Sequence, residues 1–288
     1  MGDSKDKLPD KNLPFAKRSL GQNFLSDQNY IKKVIDSLTL VPGDQVVEIG
    51  PGRGALTEFL VASGARVTAI ELDRNLIPLL NEKFNASDSF DLIEQNALEV
   101  DFLSLSESKN QTLKLVANLP YYISTAILQH LIEHRHAFSD MVLMFQREVV
   151  DRITAQSGNS DRGFLTVLIE AHLDVERLFD VPPTAFRPVP KVWSSVTRLS
   201  PKSGIGPPAD VFRNLVSSAF RQPRKTILNN LKAAVPNAAM YLAACEIEPT
   251  LRPERLSLPQ WLCLAAEFQR SKYKLDSATN KRRKTDNE

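Results

Sequence analysis

Cysteine is nearly missing from this chain: Cys245 and Cys263 are the only two in 288 residues. Two cannot build a disulfide framework, and their spacing matches no metal site, so both are expected as reduced core residues. A reducing compartment, the cytoplasm, is the matching expectation. Histidine is also sparse. His130 and His134 stand four apart without the carboxylate pattern of a zinc enzyme, so no metal is expected. No apolar run approaches the ~20 residues of a membrane helix, so no membrane contact is expected. The first residues carry Asp3, Asp6 and Asp10 and no apolar stretch, unlike a secretory signal or an Arg-rich transit peptide.

What is present is ordinary globular material, 42% hydrophobic and 24% charged. The net charge of +2 conceals an asymmetry. Residues 36–110 hold 13 acidic and 5 basic side chains, whereas residues 181–245 hold 9 basic and 1 acidic, Asp210. The later region is suited to a polyanion.

The stretch Val46–Thr57, VVEIGPGRGALT, sets the fold class. Its β-branched start predicts a buried strand. Gly50, Gly52 and Gly54 break that strand and let a ligand approach bare backbone, and Ala55, Leu56 and Phe59 begin a helix whose free N–H groups favour an anionic group. A second strand over 66–71 ends in Glu71, placed to accept from ribose hydroxyls. These features suit NAD as well as S-adenosylmethionine. Glu48, inside an apolar strand, needs a partner, either the amino group of a bound methionine moiety or backbone N–H groups.

Further strands are expected near 91–95, 113–117 and 141–146, with helices between, which makes a doubly wound, Rossmann-like α/β sheet. Ligands in such sheets sit beyond the carboxyl ends of the strands. Those ends carry Gly50–Gly54, Glu71, Asn96-Ala97 and Asn118–Tyr121. Asn96 can hydrogen-bond an adenine edge. In Asn118-Leu119-Pro120-Tyr121 the proline frees backbone carbonyls, Asn118 adds a side-chain acceptor, and Tyr121 offers a ring for stacking. Together they suit an exocyclic amine on a base.

Ahead of this, Phe15–Leu25 brings Lys17 and Arg18 as phosphate contacts and Gln22 and Asn23 as amide groups before a helix capped by Ser26. Residues 182–195 form a proline-stiffened loop that combines Phe186 and Trp193 with Arg187 and Lys191, the ingredients for holding an unstacked base. Beyond a linker, helical spacing over 211–220 breaks at Pro223 and resumes at Ile227, its polar side carrying Arg221, Arg224, Lys225 and Lys232. The expected organisation is a disordered tail over 1–14, a Rossmann-like domain over 15–203, a small helical RNA-binding domain over 209–270 and a polar basic tail over 271–288.

With those residues assembled, the chain resembles the ribosomal-RNA adenine N6,N6-dimethyltransferase family from about Phe15 to Phe268. The motifs that carry the resemblance are LGQNFL at 20–25, VVEIGPGRGALT, IELDR at 70–74, NLPYYIST at 118–125, AFRPVPKVWSS at 185–195, RKT at 224–226 with Asn229, and RPERLS at 252–257. The resemblance implies S-adenosylmethionine as co-substrate, held by Asn23, Leu25, Gly50, Glu71, Asn96 and Asn118. It implies Asn118 and Tyr121 as the catalytic motif and Phe186 as an aromatic that stacks on the target base. It implies dimethylation of two adjacent adenosines near the 3′ end of small-subunit rRNA within an immature subunit, by a monomer. Two positions depart from the family pattern: Asn96 replaces its usual Asp, and Pro223 precedes Arg224 where another Arg is common. The rivals are the large-subunit, antibiotic-resistance type of rRNA methyltransferase, a ribosome-assembly binding factor, and an NAD-dependent oxidoreductase.

Overall fold

A computed structural model describes Lys17, residues 21–120, 123–203 and 209–270. The tails expected over 1–14 and 271–288, with Arg18 and Tyr121, lie outside the described residues.

The strands, in chain order, are β1 (Phe24–Leu25), β2 (Gln45–Ile49), β3 (Arg66–Glu71), β4 (Phe90–Glu94), β5 (Leu113–Asn118), β6 (Phe138–Gln146), β7 (Leu173–Val181), β8 (Phe186–Arg187) and β9 (Ser194–Pro201). Seven of them form one sheet in the order β4-β3-β2-β5-β6-β9-β7, and β1 pairs with β8. The neighbours from β4 through β6 are parallel. Strand order reverses between β2 and β5, the topological switch point where doubly wound sheets bind ligands. Every residue of β2 is buried, as expected of a central parallel strand covered on both faces. Strands β7 and β9 extend the sheet, β7 over residues for which no element was expected and β9 over the end of the stiff loop and the start of the linker.

Helices α1 (Gln28–Ser37), α2 (Thr57–Ala62), α3 (Ile77–Phe84), α4 (Phe102–Lys109) and α5 (Ser124–Glu133) alternate with the parallel strands, and α6 (Arg147–Ile153) follows β6. The N-cap of α1 is Asp27, whose carboxylate accepts the Asn29 N–H at 2.9 Å. Ser26, expected in that role, instead donates its hydroxyl to the Ala185 carbonyl.

Packing divides the chain into two compact units. Of the described residues, one unit comprises those up to 127, 136–147 and 178–198; the other comprises those of 128–135, 148–177 and 199–270. The boundary expected at 203–209 therefore falls inside the second unit, whose helices include α7 (Phe164–His172), α8 (Ala209–Ala219), α9 (Ile227–Leu231), α10 (Ala238–Ala244) and α11 over 258–270. The reason is packing: the His172 ring meets Phe212 edge-on at 5.7 Å, and Arg213 pairs with Glu133. Trp261, fully buried, stacks on Phe220.

The cysteines correct the sequence reading. Cys245, at the end of α10, is joined to Cys263 of α11 by a disulfide, with Cα atoms 5.8 Å apart. Counting cysteines could not reveal that two helices bring them together. No helix among the described residues is long and apolar enough to cross a membrane.

Candidate active site

The first unit holds a cleft at the carboxyl ends of β2, β3, β4 and β5. It encloses about 850 Å³ of space, the open mouth included. Gly50, Glu71, Asn96 and Asn118 all line it, and Asn23 reaches it from the segment before β1. Leu25, expected beside them, does not line the cleft: it is 4% exposed and packs in the core.

The glycine loop is shaped by close approach. Gly52 has φ +60°, and a Cβ there would stand 2.9 Å from the Phe24 ring. Gly54 has φ +77°, and a Cβ there would stand 2.7 Å from the Phe84 ring. A side chain at either position would carry backbone strain and push an aromatic ring aside. Phe24 thus covers the loop, and the Arg53 guanidinium lies over the Phe24 ring, 4.7 Å from its centroid.

Glu71 ties this loop to β3. One carboxylate oxygen accepts the Gly52 N–H at 3.2 Å; the other accepts those of Leu72 and Asp73 at 2.9 and 2.8 Å. The anion expected over the loop is therefore supplied by the chain itself. Burial raises the Glu71 pKa, and the three N–H groups oppose that rise. Glu48 lies deeper, 1% exposed, and burial pushes its pKa up to about 7. Its partners in the fold are the Thr57 hydroxyl at 2.6 Å and the Thr57 backbone N–H, the second of the two kinds expected.

Asn118 is oriented by the segment before β1. Its Nδ2 donates to the Asn23 carbonyl at 3.0 Å, which leaves Oδ1 as its acceptor. That segment is anchored in turn by Asp73, which accepts from Lys17 Nζ at 2.6 Å and Gln22 Nε2 at 2.9 Å. Lys17, expected as a phosphate contact, is thereby paired with a carboxylate. These bonds hold the Asp73 carboxyl below the usual carboxylate range against the opposing effect of burial. The Asn96 side-chain oxygen accepts the Leu98 N–H at 3.1 Å, and its nitrogen donates to Glu99 at 3.3 Å. Asn96 serves first as the cap of a short 3-10 turn.

Phe186 departs most from expectation. Its residue pairs with Leu25 across β1 and β8, and its ring is 1% exposed within the core. No face of it is open to a base. Trp193, from the same stretch, is 47% exposed.

In the second unit, Arg221, Arg224 and Lys225 are exposed on the loop between α8 and α9. Asn230, itself 6% exposed, holds that loop. It accepts the Gln222 N–H at 2.9 Å and donates to the carbonyls of Gln222, Lys225 and Thr226 at 3.1 to 3.3 Å.

Sequence reasoning missed Phe24, Asp73 and Asn230. Only the motifs IELDR and LGQNFL drew attention to Asp73 and Phe24, and nothing local announces Asn230.

A switch-point cleft with a strand-end carboxylate on one side and an Asn-Leu-Pro turn on the other defines the class: an S-adenosylmethionine-dependent methyltransferase of Rossmann-like fold. The donor set fits that molecule, with the Glu71 carboxylate for ribose hydroxyls and the apolar walls of Ile49, Ile70 and Leu72 for a ring.

More narrowly, the chain belongs to the ribosomal RNA adenine dimethylase family, whose model matches residues 15–270. It is 44% identical over 256 residues to ribosomal RNA small subunit methyltransferase A of Pseudomonas aeruginosa, covering 88% of this chain and 94% of that protein. The protein of the same name from Hahella chejuensis is 44% identical over 255 residues, with 87% and 92% covered. Among solved structures, a dimethyladenosine transferase from Plasmodium falciparum superposes with a TM-score of 0.71 at 25% identity, over 86% of this chain and 98% of that one. The 23S rRNA methyltransferase ErmE gives 0.62 at 25% identity, over 86% and 100%.

Proposed function

We infer that this enzyme dimethylates the N6 amine of two adjacent adenosines near the 3′ end of small-subunit rRNA, acting as a monomer on an immature subunit. The family and the small-subunit relatives at 44% identity support that substrate over the large-subunit one. The observation that carries the chemistry is the Asn118 side chain, whose Nδ2 is fixed on the Asn23 carbonyl and whose Oδ1 takes no hydrogen bond from the described residues.

When bound, S-adenosylmethionine supplies an electrophilic methyl group. The chain positions the amine that receives it. Asn118 Oδ1 accepts one N–H of the target amine. The Pro120 carbonyl already takes the Ile123 N–H at 3.2 Å, which points to the Leu119 carbonyl as the second acceptor. Two fixed acceptors direct the nitrogen lone pair into the cleft, so positioning and preorganised dipoles lower the barrier. Each transfer adds a methyl to N6 and releases one proton to solvent. The monomethylated amine keeps one N–H for the second round. Tyr121 is assigned to stack on the extruded adenine. Arg221, Arg224 and Lys225, within the helical region over 209–270, meet rRNA phosphates.

The cytoplasmic location follows from the substrate. The cysteine argument for a reducing compartment fell with the Cys245–Cys263 bond.

The test is labelled S-adenosylmethionine with unmethylated small subunits, followed by mapping of the label. Dimethyladenosine near the 3′ end is expected, and Asn118→Ala should cut turnover about 100- to 1,000-fold. Donor binding without any label would favour an assembly factor. Near-normal turnover of the variant would remove Asn118 from the chemistry.

A further inference from the structure

The donor cleft occupies the β2–β5 ends of the sheet, with Asn118 at its border. On the other side of Asn118 lies β6: Asn118 stands opposite Met144 in the ladder. Three residues beyond Met144, the Arg147 N–H donates to the Trp193 carbonyl at 3.0 Å. Trp193 is thus fixed past the carboxyl end of β6, on the side of Asn118 away from the donor.

Trp193 is 47% exposed, with Val189 at 55% and Val192 at 38% beside it in the chain. Among the described residues no ring or cation stacks on Trp193. The surrounding charge is positive. Lys191 and Arg187 are exposed, and the Arg187 guanidinium donates to the Thr184 and Phe186 carbonyls rather than to a carboxylate. The Arg147 side chain is 54% exposed. Two acids lie close: Asp180 accepts the Ser195 hydroxyl at 2.6 Å and stands 3.9 Å from Arg147, and exposed Glu148 follows Arg147 in the chain. Three apolar side chains within five residues fall well short of the ~1,000 Å² of a stable protein interface. An aromatic face among cations is what a single-stranded nucleic acid requires.

We propose that Trp193 stacks on an unpaired base flanking the target adenosine, with Lys191 and Arg147 meeting the adjacent phosphates. This rests on the rRNA reading above. Swinging the target adenine out of its stack leaves its neighbour without a partner, and the indole replaces it. Trp193 is then a positioning residue.

The two tryptophans make the test direct, because Trp261 is fully buried and acrylamide-accessible emission belongs to Trp193. An unmethylated RNA fragment of the small-subunit 3′ end, at low salt, should quench that emission and shield it from acrylamide. With intact small subunits, Trp193→Ala should raise KM for RNA about 5- to 100-fold, the loss falling on KM rather than kcat, with donor Kd unchanged. Trp193→Phe should restore most of it. An unchanged KM, a phenylalanine that restores nothing, or an RNA fragment that leaves Trp193 accessible would overturn the proposal. So would shielding seen with protein-containing subunits but never with RNA alone. If the wild type transfers no label, the proposed function fails, while the fluorescence still reads the stacking separately.

Discussion

Glu71 in the first unit and Asn230 in the second each hold a loop through several backbone hydrogen bonds, and each is 6% exposed. The difference is charge. Glu71 gathers three N–H groups around a buried carboxylate at the wall of a cleft, where a small polar ligand has to find fixed acceptors. Asn230 is neutral, and both donates and accepts. It shapes a turn whose cations, Arg221, Arg224 and Lys225, stay in solvent. A polyanion is met by charge at a distance and tolerates loose placement. A methyl transfer does not, and a misplacement of ~1 Å costs rate heavily. The buried charge therefore belongs where geometry matters, and the neutral amide where solvation does.

The largest break in that comparison is Glu71→Gln. The variant keeps one acceptor oxygen, enough for Leu72 and Asp73. Its new NH₂ group would face the Gly52 N–H, donor against donor, in a buried place. Leaving such a group unsatisfied costs about 1–3 kcal/mol. Since Gly52 and Glu71 both line the cleft, donor affinity should fall about 10- to 100-fold, the larger end including a lost ribose acceptor. Calorimetric titration with S-adenosylmethionine measures this. Wild-type affinity in the variant would show that the glycine loop is held by Phe24 alone.

How much of this is visible in the residues themselves follows from where the information lies. The strand ends were legible because each β-branched run stops at a residue that cannot continue it: Gly50 after β2, the acidic turn after Glu71, Pro120 after β5. Asn118 was legible for the same reason, but its orientation was not, because the Asn23 carbonyl that fixes it is 95 residues away. The pairing of Lys17 and Gln22 with Asp73 spans more than 50 residues and leaves no local pattern. Strand β7 was hidden because Asp174, Glu176 and Arg177 interrupt its apolar residues. In the 182–195 stretch, residue type could not say which aromatic is inside. The β1–β8 pair buries Phe186 and leaves Trp193 out.

A smaller effect sharpens the contrast in charge. Glu48 is fully buried, with a pKa near 7 against 4.5 for an exposed glutamate, chiefly from burial and in smaller part from repulsion by Glu71. Between those values the folded protein holds more protons than the unfolded chain. Stability therefore falls as pH rises through roughly 4.5 to 7 and levels off above. The full gap corresponds to about 3 kcal/mol. Glu48→Gln keeps an acceptor for Thr57 and removes the titration. Urea denaturation at pH 5, 6, 7 and 8 should show the wild type losing up to about that amount relative to the variant. Parallel curves would place the Glu48 titration elsewhere.

Asn230→Ala probes the neutral counterpart. It deletes four hydrogen bonds to the 222–226 turn and leaves the Gln222 N–H without its acceptor, which should cost the second unit about 1–3 kcal/mol. The cations remain, so the salt dependence of RNA binding should keep its slope while affinity drops only a few-fold. Arg224→Gln is the converse: stability is unchanged, and the slope falls by about 0.7–0.9 as one phosphate contact is lost. Measuring log K against log salt for both variants separates shape from charge. If Asn230→Ala flattened the slope as much as Arg224→Gln does, the turn would be placing a cation on a particular phosphate. The second loop would then resemble the first, a geometric device rather than a solvated patch.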